Sequence, residues 1–251
     1  MLFFRNKKAK ELVDYGFIAV DMHSHLLPGI DDGSPDMATS LELIKGMQSL
    51  GYKKLITTPH ILSDMYPNTR QGILTKLEEV RQAMREAGLN AELHAAAEYF
   101  LDDHVAGLLK DKEPLLTIHA NWVLCEFSLA FPSHSLKDIL FELQMQDYQP
   151  VIAHPERYIY LEQSKDFYDE LKATGCLFQL NVLALAGHYG KAVQELAQYL
   201  VKKGYYDLLG TDLHHFRHLD ALSDMGLVTQ LRKLVDAGKI RNEEMGDRLR
   251  G

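Results

Sequence analysis

Cysteine is scarce, with only Cys125 and Cys176 in 251 residues. Two thiols cannot build a disulfide framework, which points to a reducing, cytoplasmic setting. No uninterrupted apolar run approaches the ~18 residues that a membrane-spanning helix requires. The opening Met1-Leu2-Phe3-Phe4 is not expected to act as a secretory signal, because its basic cluster (Arg5, Lys7, Lys8, Lys10) follows it. Positive charge is in deficit: 27 Lys and Arg stand against 35 Asp and Glu, a net charge of −8. With no dense basic run, the chain is a poor candidate for sequence-tolerant nucleic-acid binding. A glycine-rich phosphate loop after the first apolar run is also missing, which disfavours an open, doubly wound nucleotide-binding sheet.

What is present is ordinary globular composition, 46% apolar and 25% charged, over a length typical of one α/β barrel. A single domain over 1–251 is expected, with residues 1–15 as an N-terminal extension whose lysines would touch an anionic surface weakly. Short β-forming runs predict strands near 17–22, 54–58, 91–97, 122–126, 150–153, 177–182 and 206–210. Amphipathic stretches between them predict helices near 36–50, 68–88, 102–110, 135–148, 162–174, 189–203 and 217–238. Ser34-Pro35 reads as an N-cap followed by proline in the first turn. Gly51, Gly88, Gly175 and Gly204 each close a helical run just before an apolar strand, the usual place for a residue of positive φ. Strand and helix in steady alternation imply parallel strands with right-handed crossovers, and seven such units favour a barrel.

Twelve histidines are the unusual feature. His23 and His25 end the first predicted strand, His60 the second, Glu98 the third, Glu126 the fourth and His154 the fifth; Asp212 and His214 follow the seventh. Strict alternation would put Asp21, His23 and His25 on one face, with Asp21 orienting a ligating imidazole. Taken singly, each residue has an ordinary use as a cap, a turn residue or a salt-bridge partner. Taken together, strand ends that gather at one mouth of a parallel barrel and carry only His, Glu and Asp require cations to neutralise them. Imidazole with carboxylate and no thiolate suits Mn²⁺, Fe²⁺ or Zn²⁺. Eight such residues exceed the needs of one ion, so two or three ions are expected, with Glu98 placed to bridge. Cys125 should face away from Glu126 into the core, and Cys176 reads as packing.

The blocks Asp21-Met22-His23-Ser24-His25-Leu26-Leu27-Pro28-Gly29-Ile30-Asp31-Asp32-Gly33, Thr58-Pro59-His60 and His154-Pro155-Glu156-Arg157-Tyr158 closely resemble the polymerase-and-histidinol-phosphatase (PHP) superfamily. Within it, they are similar to the branch of bacterial capsule and exopolysaccharide tyrosine-protein phosphatases. The resemblance runs from residue 21 to 214 and implies a distorted TIM-like (β/α)7 barrel with a manganese-dependent trinuclear site. The ligands it implies are His23, His25, Asp32, His60, Glu98, Glu126, His154, Asp212 and His214; Asp32 comes from the resemblance alone. The branch usually has Ser before its last metal-binding Asp, where this chain has Thr211, which keeps the hydroxyl. Arg217 is the candidate for the substrate-binding arginine that follows that motif. The resemblance further implies a cytoplasmic phosphoric monoester hydrolase acting on phosphotyrosine, with a tyrosine autokinase of polysaccharide export as partner.

Multinuclear centres hydrolyse phosphoesters by activating water and neutralising phosphoryl charge, so no phosphoenzyme is required. Arg157, close after His154, is placed to grip phosphate. Tyr99, Tyr158 and Phe216 follow ligands and are candidates to meet an aromatic ring, and His94 and His188 to line the mouth. His104, His119, His134, His215 and His218 read as solvent or helix-cap residues. Three other readings share much of this pattern. A small-molecule phosphatase of the histidinol-phosphate type has the same ligands. An amidohydrolase also opens with HxH but usually needs a strand-end lysine. A non-catalytic, metal-dependent binding module would be expected to have lost ligands.

Overall fold

The computed structural model describes residues 13–131 and 135–247, so the basic stretch at 5–10 and His134 lie outside the described residues. Every predicted strand forms. They are β1 (Val20–Asp21), β2 (Lys54–Thr57), β3 (His60–Ile61), β4 (Glu92–Ala95), β5 (Glu98–Phe100), β6 (Trp122–Glu126), β7 (Gln149–Ala153), β8 (Leu177–Asn181) and β9 (Leu208–Gly210). The second and third predicted strands each appear as two pieces, β2 with β3 and β4 with β5. Pro59 lies at the first break and has no N–H for a ladder. Bonds from Ala96 N to Thr57 O (2.9 Å) and from Glu98 N to Pro59 O (3.1 Å) carry the pairing across both breaks.

All ladders are parallel, in the orders β1-β2-β4 and β3-β5-β6-β7-β8-β9. Because the broken strands are continuous in the chain, these two sheets form one array of seven strands. Its ends meet. Ser24 bridges Leu213, His25 N donates to Leu213 O and Asp212 N to His23 O, each bond 2.8 Å long. The result is a barrel, as the alternation favours, with the distortion that the resemblance implies.

The helices are α1 (Met37–Ser49), α2 (Arg70–Glu86), α3 (Asp103–Lys110), α4 (Leu136–Met145), α5 (Asp166–Ala173), a short α6 (Val182–Leu185), α7 (Lys191–Lys203), α8 (Phe216–Ala221), α9 (Met225–Asp236) and α10 (Glu244–Asp247). The predicted 217–238 helix is thus two helices. The four helix-ending glycines have positive φ as expected; at Gly51, with φ +97°, a Cβ would fall 2.1 Å from Asp14 Oδ1. The N-cap of α1 is Asp36, which accepts from Thr39 N at 2.8 Å, and not Ser34. The Ser34 backbone is committed to a turn, its N–H to His25 O and its carbonyl to Gly29 N.

Period-two alternation sorts the core. Trp122, Leu124, Val151, Ala153 and Leu177 pack inside the barrel with Val20, Met22 and Leu208. Val123, Cys125, Ile152, Phe178 and Leu180 pack outward against helices. Cys125 therefore faces away from Glu126, as predicted, and both thiols are buried and free.

Between β1 and β9 the closure is made largely by side chains. Buried Asn242 donates through Nδ2 to Val20 O (2.9 Å) and Leu209 O (2.7 Å) and accepts from Leu209 N (2.9 Å). Asp21 accepts from both Thr211 N and Thr211 Oγ1 at 2.9 Å, so it secures this seam and orients no histidine. Regular pairing ends at Asp21, and with it the alternation that would have put Asp21 on the face of His23. Burial pushes the Asp21 carboxyl up to about 7 against those two bonds.

A second buried carboxyl, Glu156, accepts from Asn181 N and from Tyr206 Oη, each at 2.8 Å. Burial pushes it up to about 7, whereas an unfolded glutamate titrates near ~4.3. The folded state therefore keeps a proton that the unfolded chain has lost, and the stability this contributes falls away as pH rises from about 4.5 through 7. Gln satisfies the same two partners without titrating, so Glu156→Gln should flatten that part of the stability–pH curve measured by denaturant midpoint. An unchanged slope would refute the assignment. Asn242→Leu should cost about 2–5 kcal/mol at unchanged m-value, because it strands three buried backbone groups.

Candidate metal centre

The strand register sets the centre of the mouth. His60 pairs with Glu98 between β3 and β5, and Phe100 pairs with Glu126 between β5 and β6. Glu98 is fully buried, and its two oxygens reach four imidazoles. Oε2 lies 3.1 Å from His23 Nε2, 3.4 Å from His25 Nε2 and 3.3 Å from His60 Nδ1, while Oε1 lies 3.0 Å from His154 Nε2. Asp212 Oδ1 lies 3.3–3.5 Å from His23, His25 and His214. Asp32 Oδ1 lies 3.4 Å from His60 Nε2 and 3.5 Å from His214 Nε2, and Glu126 Oε1 lies 2.8 Å from His60 Nδ1.

All nine sequence-predicted ligand residues thus come together. They form four overlapping groups: His25, Asp32, His60 and His214; His23, His154 and Asp212; His23, His25 and Glu98; and His60, Glu98 and Glu126. In each group the ligand atoms lie within 4.8 Å of one another.

Neighbouring acceptors orient the rings. Gln179 Oε1 lies 2.9 Å from His23 Nδ1, and the amide is fixed because its Nε2 donates to Leu180 O at 2.7 Å. Asp31 Oδ2 lies 2.8 Å from His25 Nδ1, and Asp212 O lies 2.9 Å from His214 Nδ1. Each of these partners only accepts, so the proton sits on Nδ1 and the Nε2 lone pair is left facing the carboxylates. His60 Nδ1 and His154 Nδ1 are buried with no hydrogen-bond partner, although Glu126 lies 2.8 Å from the former. Lone pairs aimed at carboxylates, with no donor between them, are a donor set whose chemistry fits a divalent cation.

The electrostatics say the same. Burial disfavours charge on His23, but Glu98 and Asp212 outweigh it and push the ring up to about 9. Burial is likewise outweighed at His60, where Glu98, Asp32 and Glu126 push the ring up to about 12. Without a cation, the carboxylates draw protons onto His23 and His60. Two donors are also held in the left-handed region, His154 at φ +33° and Asp212 at φ +52°, which costs about 1–3 kcal/mol each. On β7, strict alternation would turn residue 154 outward beside Ile152; the left-handed turn brings its ring to Glu98.

Six of the nine, Asp32, His60, Glu126, His154, Asp212 and His214, line a cavity of about 610 Å³, which also meets Arg157, Tyr189, His215 and His218 and an apolar wall of Leu62, Met65, Phe100, Phe127 and Leu129. Arg157 enters it as expected, with Nη1 3.0 Å from Asp212 Oδ2. Arg217 does not: it is exposed on α8, whose residue His218 turns inward instead. Tyr99 and Tyr158 are buried, their hydroxyls bonded to Leu116 N and Ala153 O, and Phe216 is exposed; none of the three lines the cavity. His94 lies away from the mouth beside Arg81, and His188 lies next to Tyr189 and His218. Asp31, Gln179 and Tyr189 were missed from sequence. The first has a signal, as an acid within the Asp31-Asp32-Gly33 turn; Gln179 lies inside β8, and Tyr189 lies in the turn between Gly187 and Gly190, where neither carries a pattern that separates it from packing.

The sequence matches the family described as capsular polysaccharide synthesis, CpsB/CapC, over residues 19–226. The CapC protein of Staphylococcus aureus is 29% identical over 222 residues, covering 88% of this chain and 84% of its own. Tyrosine-protein phosphatase YwqE of Bacillus subtilis (strain 168) is 25% identical over 198 residues, 79% of this chain and 78% of its own. The fold is similar to the crystal structures of YwqE and of CpsB from Streptococcus pneumoniae, described as unique metal-dependent tyrosine phosphatases. That match has a TM-score of 0.75 at 24% identity and covers 89% of this chain and 94% of the other. An amidohydrolase from Mycoplasma synoviae shares the fold at a TM-score of 0.50 and 14% identity, over 90% of this chain and 84% of the other.

Cation binding should displace the protons drawn onto His23 and His60. Adding Mn²⁺ to chelator-stripped protein at pH 7.5 is expected to raise the melting temperature and release on the order of two protons. Calorimetry in buffers of different ionisation heat counts them, and binding without proton release would place the ions elsewhere.

Proposed function

Since the chain belongs to the CpsB/CapC family of capsular polysaccharide synthesis, we propose that it is a metal-dependent protein-tyrosine phosphatase. The observation that carries this reading is a cavity whose floor opens onto the nine-residue donor cluster through Asp32, His60, Glu126, His154, Asp212 and His214, with an arginine on its side and an apolar wall. His23, His25, Asp32, His60, Glu98, Glu126, His154, Asp212 and His214 would hold two or three divalent ions, with Mn²⁺ as the proposed native metal. Bound there, such ions supply Lewis-acid neutralisation of phosphoryl oxygens and a water of lowered pKa.

Arg157 adds a fixed positive group. Nη1 is held by Asp212, and its other N–H groups have no protein partner among the described residues. A guanidinium so held receives phosphoryl oxygens in a bidentate manner. The wall of Leu62, Met65, Phe100, Phe127 and Leu129 offers apolar surface for an aryl ring. A phenolate, whose conjugate acid has a pKa near ~10, departs with less protonic help than an alkoxide. Thiol chemistry has no place here: Cys125 and Cys176 are buried away from the cavity, and burial pushes both thiols up.

The proposed partner is a tyrosine autokinase of polysaccharide export, met in the cytoplasm. Two unpaired buried cysteines support that compartment, and among the described residues no helix is long and apolar enough to cross a membrane.

The test is to strip the protein, reload it with Mn²⁺, and compare a phosphotyrosine peptide, a phosphoserine peptide and histidinol phosphate. Turnover of the phosphotyrosine peptide alone is expected. Preference for histidinol phosphate would move the function to metabolism, and no turnover with metal bound would favour a binding module. On the phosphotyrosine peptide, Glu98→Gln should lose at least about 10³-fold in kcat and Arg157→Ala about 10²-fold in kcat/KM.

A further inference from the structure

An arginine side chain carries large rotamer freedom, and one at the edge of an open cavity helps a reaction only if something holds it still. Two groups hold Arg157. Asp212 Oδ2 lies 3.0 Å from Nη1, and the ring of Tyr189 carries the guanidinium on its face, with Cζ 5.0 Å from the centroid. The two holders are tied to each other. Asn181 Nδ2 donates both to Tyr189 Oη and to Asp212 Oδ2, each at 2.9 Å, while Asn181 Oδ1 caps α6 through Leu183 N at 3.1 Å.

The turn that delivers Tyr189 is equally constrained. Gly187 and Gly190 flank it at φ +77° and +92°, and His188 N bonds back to Leu183 O at 3.2 Å. A tight turn with glycines at both ends thus carries an aromatic ring to the guanidinium on the cavity wall.

We infer that Tyr189 is a positioning residue for Arg157: its ring face and Asp212 Oδ2 clamp the guanidinium so that its free N–H groups meet the phosphoryl oxygens. The inference rests on the reading that Arg157 receives phosphate. It has a distinctive consequence, because Tyr189 acts through the anion and not through the leaving group. Tyr189 also lines the cavity, so direct stacking on a substrate ring is the competing role.

A double-mutant cycle separates the two roles, using Y189L, R157A and the double variant, all loaded with Mn²⁺ and checked for unchanged metal content. The first readout is calorimetric affinity for inorganic phosphate, which has no aromatic ring. Y189L should weaken it about tenfold, Y189F should stay within about threefold of wild type because the ring face remains, and the double variant should match R157A. The second readout is kcat/KM for p-nitrophenyl phosphate and for a phosphotyrosine peptide, where the same pattern is expected. An unchanged phosphate affinity in Y189L overturns the clamp, as does an equal loss from Y189L in the R157A background. If Y189L loses metal or unfolds, Y189M takes its place in the cycle. Wild-type protein that binds no phosphate overturns both the clamp and the reading beneath it. Wild-type binding with an additive cycle overturns the clamp alone.

Discussion

The structure is organised around one buried carboxylate. Glu98 has no exposure, and its two oxygens lie 3.0–3.4 Å from four imidazoles contributed by three other segments of the barrel. An unpaired carboxylate in such a place costs several kcal/mol, so its neighbours must bring positive charge. The protein does not bring it in fixed form. It brings lone pairs on His23, His25 and His214 whose other ring nitrogen is already committed to Gln179, Asp31 or a backbone carbonyl. The donors of the mouth therefore fit a cation, and without one the carboxylates draw protons onto His23 and His60.

Much of the local irregularity serves that arrangement. After the interruption at Pro59 the ladder resumes with His60 paired to Glu98, and the left-handed backbone at His154 and Asp212 turns both side chains into the mouth. The seam between the first and last strands works the same way. Asp21 and Asn242 stand in for ladder bonds there, leaving the backbone free to bring His23 and His25 against Asp212. Strain and irregular pairing at the mouth are carried by a well-packed core, inside the barrel and beneath the helices.

Asp212 joins the two halves of the site. One oxygen faces His23, His25 and His214, and the other holds Arg157 and Asn181. The position of Arg157, the only arginine on the cavity wall among the described residues, is in this way tied to the same carboxylate that faces the imidazoles. The imidazoles of the floor and the guanidinium on the side thus meet at one residue. Tyr189 and the apolar wall complete a site whose polar and apolar surfaces meet along one edge.

The sequence by itself determined the strand–helix alternation, the helix-ending glycines and the eight ligand-type residues at strand ends, because periodicity and backbone chemistry are local properties. Asp32 was reachable only through the resemblance, since an acid in a Gly-containing turn looks like a cap. Where local rules were extended across a break they failed: Asp21 was assigned to the face of His23 by alternation, but regular pairing stops at Asp21. Ser34 looked like a cap, but its backbone was already committed to His25 and Gly29. Arg217 followed the last motif in sequence, yet α8 leaves it exposed and turns His218 inward. Only the tertiary structure decided which carboxylate sits at the centre, which amide and acid orient the rings, and that Tyr189 lies under Arg157. Those facts depend on which distant strands close against each other, and contact between segments far apart in the chain leaves no periodic trace in it.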